Sequence, residues 1–99
     1  MITRIVKMTF LPEGVRKFER IFEKTSDLIR NYDGCHEVKL MRDTSCENIF
    51  FTVSRWESES HLNAYRSSGL FKSTWADVKP LFSEKAEAWS LVDSIPEIK

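Results

Sequence analysis

The sequence predicts an α+β fold in which helices cover one face of an antiparallel four-stranded sheet. The chain has 99 residues, so it fits one domain with a single core. Apolar residues alternate in four segments and recur at helical spacing between them. Residues 48–56 are apolar on both alternating faces, so we expect this segment inside a sheet that is covered on both sides.

Composition and charge narrow the classes of function. Lys and Arg total 15 and Asp and Glu total 15, so the formal net charge is zero. A chain with no net charge has no overall electrostatic field that attracts nucleic acid, so no nucleic-acid partner is expected. No apolar run reaches the roughly 20 residues of a membrane span, and the first residues do not resemble a signal peptide. We therefore expect no membrane partner and a cytoplasmic location.

The two cysteines agree with a reducing compartment. We place Cys35 at the start of a strand and Cys46 in the loop beyond its far end. The strand between them would separate them by roughly 25 Å, which is beyond the reach of a disulfide. Two free thiols are therefore expected.

The first strand is predicted over residues 2–10, where Val6 and Phe10 share an apolar face. Arg4 interrupts that face. Because a lone charge on an apolar face needs a partner, Arg4 is either paired across a dimer or an anchor for an anion.

A long amphipathic helix is predicted next, over residues 13–31. Its apolar positions recur at alternating spacings of three and four residues: Val15, Phe18, Phe22, Thr25, Ile29 and Tyr32. Gly34 can adopt positive φ, so the helix is expected to end just before it.

The middle of the chain predicts a β-hairpin. Cys35–Arg42 forms its first strand, and one face of this strand is half charged, which favours a position near a sheet edge. The polar segment 43–47 has the length of a hairpin loop. In the returning strand 48–56, Phe50 and Trp56 lie on one face. The opposite face is also apolar and carries Ile49, Phe51 and Val53.

Two short helices and a final strand complete the prediction. Ser58 is expected to cap a helix that contains Tyr65. A further short helix, closed by Pro80, is predicted from the apolar residues Leu70, Phe71, Trp75 and Val78. Residues 85–93 predict a last strand that is apolar on both faces, and residues 94–99 predict a C-terminal tail.

The order of these elements (βαββαβ) is that of the ferredoxin-like split βαβ sandwich. We expect one domain over residues 1–99, with its core at about residues 2–93. The helices can cover only one face of the sheet, although two strands are apolar on both faces. A second copy of the chain is therefore expected to cover the other face, which predicts a homodimer.

Several short features follow one another in order along residues 2–92. They are Phe10-Leu11-Pro12-Glu13, Phe18, Gly34-Cys35, Phe50, Trp56-Glu57-Ser58, Tyr65, Ser68 and Phe71. In this order and spacing the chain resembles the antibiotic biosynthesis monooxygenase (ABM) domain family of dimeric α/β barrels. The resemblance implies a homodimer with a pocket in each protomer between the sheet and the helices.

The resemblance implies several chemistries, because members of the family differ. Some oxidise quinols or aromatic polyketides with O₂ and without metal or flavin, so a cofactor-independent monooxygenase acting on a quinol or polycyclic phenol is expected. The alternative is a non-catalytic dimer that binds a small aromatic or apolar ligand or serves as a stress-response or interaction module. Haem-cleaving relatives use an Asn, a Trp and a His where this chain aligns Lys7, Tyr65 and Trp75, so haem degradation is not expected.

A cofactor-free oxygenase has to deprotonate a phenol beside O₂ in a dry pocket. His36 and Tyr65 are the candidate catalytic residues, and His36 is chosen because it shares a strand face with Val38 and histidine is the common general base of enzymes. The candidate substrate-binding residues are Trp56, Phe71, Trp75 and Arg42. The alternative for the aromatic residues is that they fill the core. No metal site is expected, because no ligand spacing typical of one is found.

Overall fold

The computed structural model describes residues 1–95 as one sheet covered by helices. The strands are β1 (Ile2–Thr9), β2 (Cys35–Arg42), β3 (Ile49–Trp56) and β4 (Glu87–Leu91). The helices are α1 (Val15–Arg30), α2 (Glu59–Arg66) and α3 (Gly69–Val78), with short 3₁₀ turns at Pro12–Gly14 and Lys79–Leu81. The sheet order is β2-β3-β1-β4, and every neighbouring pair is antiparallel. The α+β ferredoxin-like fold expected from the sequence is confirmed.

The long helix begins two residues later than the sequence predicts, because its approach has 3₁₀ geometry. Gly14 is buried against Leu81, where an added Cβ would lie 3.2 Å from the Leu81 Cβ. α1 then packs its apolar stripe on the sheet through the buried Phe18 and Ile29. Gly34 has a φ of 84°, which agrees with its expected place after the helix end.

The two edge strands follow from the pairing. β2 lies at one edge, as its half-charged face predicted. β4 lies at the other edge and, among the described strands, pairs only with β1, from Thr3↔Leu91 to Lys7↔Glu87. It is shorter than the predicted segment 85–93. The ladder begins at Glu87, and before it the Ser83 N–H donates to the Thr9 carbonyl at 2.9 Å.

Both short helices begin at a serine cap. The Ser58 Oγ accepts from the His61 N–H at 3.3 Å, which confirms the predicted N-cap of α2. The Ser68 Oγ accepts from the Phe71 N–H at 3.1 Å and caps α3 in the same way. No helix within residues 1–95 is long and apolar enough to cross a membrane.

The helix-covered face of the sheet carries the core. The β1–β3 register pairs Ile2 with Trp56 and Met8 with Phe50, so even-numbered residues of both strands share this face. Two buried clusters lie between it and the helices: Met8, Phe10, Phe18, Phe50 and Val78 in one, and Ile29, Val38, Trp56 and Leu62 in the other. The predicted common face of Phe50 and Trp56 is confirmed.

The alternate residues of the same strands form what we call the open face of the sheet. Its apolar members include Ile5, Met41, Ile49, Phe51, Val53, Trp89 and Leu91. None of them belongs to the two buried clusters of residues 1–95. Trp89 and Leu91 are 43% and 47% exposed. The cover that a second copy would give this face stays a prediction.

Candidate functional site

A cavity of about 310 Å³ lies between the covered face of the sheet and the three helices. Its floor comes from all four strands and the approach to β4: Arg4, Val6, Met8, Val38, Thr52, Ser54, Trp56, Ala86 and Ala88. Its walls and roof come from the helices: Phe18, Ile21, Phe22, Thr25, Ile29, Leu62, Tyr65, Arg66, Phe71, Thr74, Trp75 and Val78. This volume is at the lower end of small-molecule sites, so a ligand of two or three fused rings would fit.

Four of the six predicted site residues form one aromatic row along this central cavity. Trp56 and Tyr65 stack with ring centroids 4.8 Å apart. Tyr65 meets Phe71 edge-on at 5.3 Å, and Phe71 stacks on Trp75 at 5.8 Å with the planes only 10° apart. All four residues line the cavity, and Trp56 also belongs to one of the two buried clusters, so the row both borders the cavity and contributes to the core.

Trp56 fixes one end of this row. It is 0% exposed, and its indole N–H donates to the Ser54 Oγ at 3.0 Å, two residues earlier on the same strand. A buried indole whose donor is satisfied holds one orientation. The Trp56 ring is therefore a rigid wall against which Tyr65 stacks.

Tyr65 carries a phenol that stays protonated at neutral pH. Burial raises the pKa of Tyr65 to about 12, and the neighbouring Cys35 adds to the effect. A neutral phenol can donate a hydrogen bond to an anion, but it cannot take up a proton. Tyr65 therefore suits stabilisation of a negative charge better than the work of a base.

His36 lies outside the central cavity, which corrects the expectation that it faces the cavity with Val38. The β2–β3 pairing jumps from Cys35↔Trp56 to Glu37↔Arg55, so His36 is an extra residue in an irregularity of the strand. Its side chain is exposed, and its Nε2 lies 2.8 Å from a Glu57 oxygen. The hydrogen bond from His36 lowers the pKa of Glu57.

Arg42 also lies outside the central cavity. It ends β2 at the edge of the sheet and is exposed. It lines a separate shallow depression with Glu19, Thr44 and Phe50. It is not among the residues that line the central cavity, so the expected role of Arg42 in substrate binding stays a prediction.

The two arginines that do line the central cavity are Arg4 and Arg66. The Arg4 Nη1 donates to the Ser90 Oγ at 2.9 Å, across the β1–β4 pair. Burial lowers the pKa of Arg4, and the positive charge of Arg66 lowers it further. Sequence patterns singled out Arg4 but missed Arg66, because a cation in the last turn of a helix ordinarily faces solvent.

The described residues offer no evident metal site. Within residues 1–95, no group of three or more His, Cys, Asp or Glu side chains converges on one point. Cys35 and Cys46 are both free, which confirms the two thiols expected from the sequence. The polar groups of the central cavity are hydroxyls and guanidinium groups, which suit hydrogen bonding to an organic ligand.

Comparisons with known proteins agree with this fold. A structure of a conserved protein from Methanosarcina mazei Go1 superposes with a TM-score of 0.86 at 18% identity, over 92% of this chain and 91% of that chain. Two structures that bear the ABM family's name come from Caulobacter crescentus CB15 and Nitrosomonas europaea. The first has a TM-score of 0.85 at 20% identity, over 91% of this chain and 86% of that chain. The second has a TM-score of 0.88 at 9% identity, over 96% of this chain and 100% of that chain.

The family of this chain is identified from its sequence. No curated protein sequence matches the chain significantly. A family model described as antibiotic biosynthesis monooxygenase matches residues 1–77, which is most of the chain. The structural neighbours share the fold over nearly their whole length. We conclude that this chain belongs to the antibiotic biosynthesis monooxygenase family.

Proposed function

We propose that this chain is a cofactor-independent monooxygenase that oxidises a quinol or a polycyclic phenol with O₂. The observation that carries the proposal is the central cavity, which is closed on one side by the sheet and lined by the aromatic row Trp56–Tyr65–Phe71–Trp75. A planar aromatic ring fits between such walls, and an apolar space shields reactive oxygen species from water. Membership of a family named for monooxygenation supports the same reaction class.

The reaction needs little chemistry from the protein. The bound phenol loses its proton to water, and the resulting phenolate gives one electron to O₂. The two radicals combine to form a C–O bond, and the peroxide takes up a proton from water, breaks its O–O bond and loses water to leave a quinone. One oxygen atom of O₂ enters the product and the other leaves as water, and the substrate itself supplies the two electrons that reduce this second oxygen atom. The protein has to hold the ring, favour its anion and keep bulk water out.

Named residues meet those needs in different ways. Phe71 and Trp75 hold the ring, since they are half-buried walls of the cavity. The fully buried Trp56 fixes the orientation of Tyr65 by stacking on it. Tyr65 is the candidate catalytic residue, because its neutral hydroxyl can donate to the phenolate oxygen. The other candidate catalytic residue, His36, does not line the cavity and plays no part in this mechanism.

The proposal includes a homodimer in the cytoplasm. The open face exposes Trp89 and Leu91, and an exposed apolar face on a sheet suits burial against a second copy. The two free thiols fit a reducing compartment.

Oxygen uptake with anthrone tests the reaction. Anthrone is the keto form of a polycyclic phenol, and its conversion to anthraquinone should consume one O₂ per substrate molecule and incorporate one labelled atom from ¹⁸O₂. Tyr65→Phe should slow the enzymatic rate by about tenfold or more, as expected for loss of one donor to a developing anion. Tyr32→Phe is the matched control, because Tyr32 packs on Tyr65 at 5.4 Å but does not line the cavity. An uptake no faster than that in buffer would contradict the proposal.

A second candidate, a non-catalytic ligand-binding module, is favoured by one observation. Among the residues that line the central cavity in the described chain, none is His, Asp or Glu, and Tyr65 stays protonated. A cavity without a base is suited to binding but gives no help with deprotonation. Here anthrone would raise the melting temperature with no enzymatic uptake of O₂. Uptake that depends on Tyr65 would exclude this candidate.

A further inference from the structure

The central cavity combines an apolar interior with a one-sided distribution of charge. Its lining contains two arginines, Arg4 and Arg66, and no acidic side chain among the described residues. The whole chain has a formal net charge of zero, so this imbalance is local. The lining of the cavity would therefore attract an anion.

The two guanidinium groups lie where the cavity meets solvent. Arg4 is half-buried on β1 and Arg66 is exposed at the end of α2, yet both line the same space. Arg4 points across the sheet to the Ser90 Oγ at 2.9 Å, which uses one of its five N–H donors. Within residues 1–95, neither arginine has a carboxylate within 4.0 Å, as is the case for most Lys and Arg side chains there, but these two line one cavity together.

This arrangement is unfavourable without an anion. A guanidinium that is partly removed from water and faces a second guanidinium loses hydration and gains repulsion. Both effects lower the pKa of Arg4. A bound carboxylate would reverse them, because its two oxygens can accept two parallel N–H bonds from one guanidinium.

We infer that the central cavity binds aromatic molecules that carry a carboxylate, with the rings against the aromatic row and the carboxylate at Arg4 and Arg66. This inference rests on the proposed function only in taking the cavity as the ligand site. It narrows the substrate class from any quinol or phenol to one with an acidic substituent at the edge of its ring system.

Direct binding of two probes of the same shape tests the inference. The probes are 2-naphthoate and its neutral analogue 2-naphthamide, and their binding is measured by calorimetry at neutral pH and low salt. The wild-type chain should bind the naphthoate about tenfold more tightly than the amide, since a charge-assisted bond is replaced by a neutral one. The preference should shrink as NaCl is added, because the arginines lie near solvent.

Variants identify the groups responsible. Arg4→Gln should remove the preference and leave the affinity for the amide within about twofold, and Arg4→Lys should restore part of it. Arg66→Gln should reduce the preference less, because Arg66 is exposed, and it keeps the test open should Arg4→Gln fail to fold. Arg16→Gln, an equal charge change on the exposed side of α1, is the matched control and should change nothing.

Several outcomes would overturn the inference. One is equal affinity for the two probes, and another is failure of both to bind at millimolar concentration. A third is a weaker dimer in Arg4→Gln without a change in probe preference, which would show that Arg4 is paired with a carboxylate of the second copy. None of these measurements needs O₂ uptake, so a preference for naphthoate without turnover would keep this inference and remove only the proposed oxygenation.

Discussion

The two faces of the sheet are made from alternate residues of the same strands, but they differ in what covers them. On the helix side, Phe10 and Trp56 are 0% exposed. On the open face, Trp89 and Leu91 keep about half of their surface in contact with solvent within the described chain. The covered face also contains the central cavity, which lies beside its two buried clusters.

The apolar surfaces of the two faces therefore have different roles. The covered face stabilises the protomer and leaves a space for a ligand, because the helices pack tightly around Phe10 and Trp56 but not over the middle of the sheet. The open face lies outside the two buried clusters, and in our proposal it holds two protomers together. Changes on the covered face should therefore alter folding or ligand binding, and changes on the open face should alter assembly.

Phe10→Ala should have the largest effect. Phe10 stacks on Phe18 with ring centroids 4.2 Å apart and has no exposed surface, so its loss leaves a void in a packed cluster. We expect the free energy of unfolding to fall by about 3–5 kcal/mol, measured by urea denaturation at fixed protein concentration. The control is Leu28→Ala on the surface of α1, where Leu28 is 59% exposed and the change should stay within about 0.5 kcal/mol. Equal losses in both variants would show that the covered face is not the core.

Val53→Lys tests the open face. A lysine in the middle of this face would be buried unpaired in the proposed dimer, at a penalty of about 3 kcal/mol, which weakens dimerisation by more than about 100-fold. Sedimentation across a concentration series gives the dissociation constant of the dimer. Leu28→Lys adds the same charge to an exposed position on α1 and should leave the dimer intact. A wild-type chain that sediments as a monomer would remove the contrast between the faces.

Alkaline pH probes the covered face through Tyr65. The pKa of Tyr65 rises from 10.0 to about 12 on folding, so the folded chain holds this proton more tightly than the unfolded chain. The associated stability is fully present below pH 10 and is lost as the pH rises through 12, by about 2 kcal/mol after allowance for partial exposure. Denaturation midpoints between pH 9 and 12 should fall more steeply for the wild-type chain than for Tyr65→Phe. Parallel curves would show that the phenol is not buried.

Ser68→Ala should have the smallest effect. The Ser68 Oγ caps α3 through the Phe71 N–H and donates to the Tyr65 carbonyl at 2.5 Å, so its loss frees a donor in the roof of the cavity. We expect a loss of about 1 kcal/mol in the free energy of unfolding. Ser73→Ala removes an exposed hydroxyl from the same helix and should be neutral or slightly stabilising. The cap is dispensable if the two variants behave alike.

Much of the fold could be predicted because it depends on periodicity. Alternation in residues 48–56 placed Phe50 and Trp56 on one face, and the β1–β3 register confirms that placement. The helical spacing from Val15 to Ile29 likewise predicted the stripe that packs on the sheet. These patterns repeat over many residues, so the position of one side chain fixes those of its neighbours.

The candidate site was harder to predict because it depends on local departures from those patterns. One extra residue in β2 turns His36 out of the face that it was expected to share with Val38. The cavity itself depends on how side chains of different elements fill a common space, which no single segment encodes. The place of Arg66 in the site could not be predicted for the same reason. Arg4 and Arg66 are 62 residues apart in the sequence, and only the fold brings both to the same cavity.

The roof of the cavity is made of two pieces, α2 with 8 residues and α3 with 10, and each is shorter than a helix that holds together alone in water. Both are stabilised by packing on the sheet beneath them, but the cavity leaves part of their inner surface without a packing contact. An occupant of matching shape would supply the missing contacts and so act as the last piece of the hydrophobic core. Affinity and thermal stability should then rise together along a series of ligands, so that a melting curve becomes a guide to what the cavity was shaped to hold.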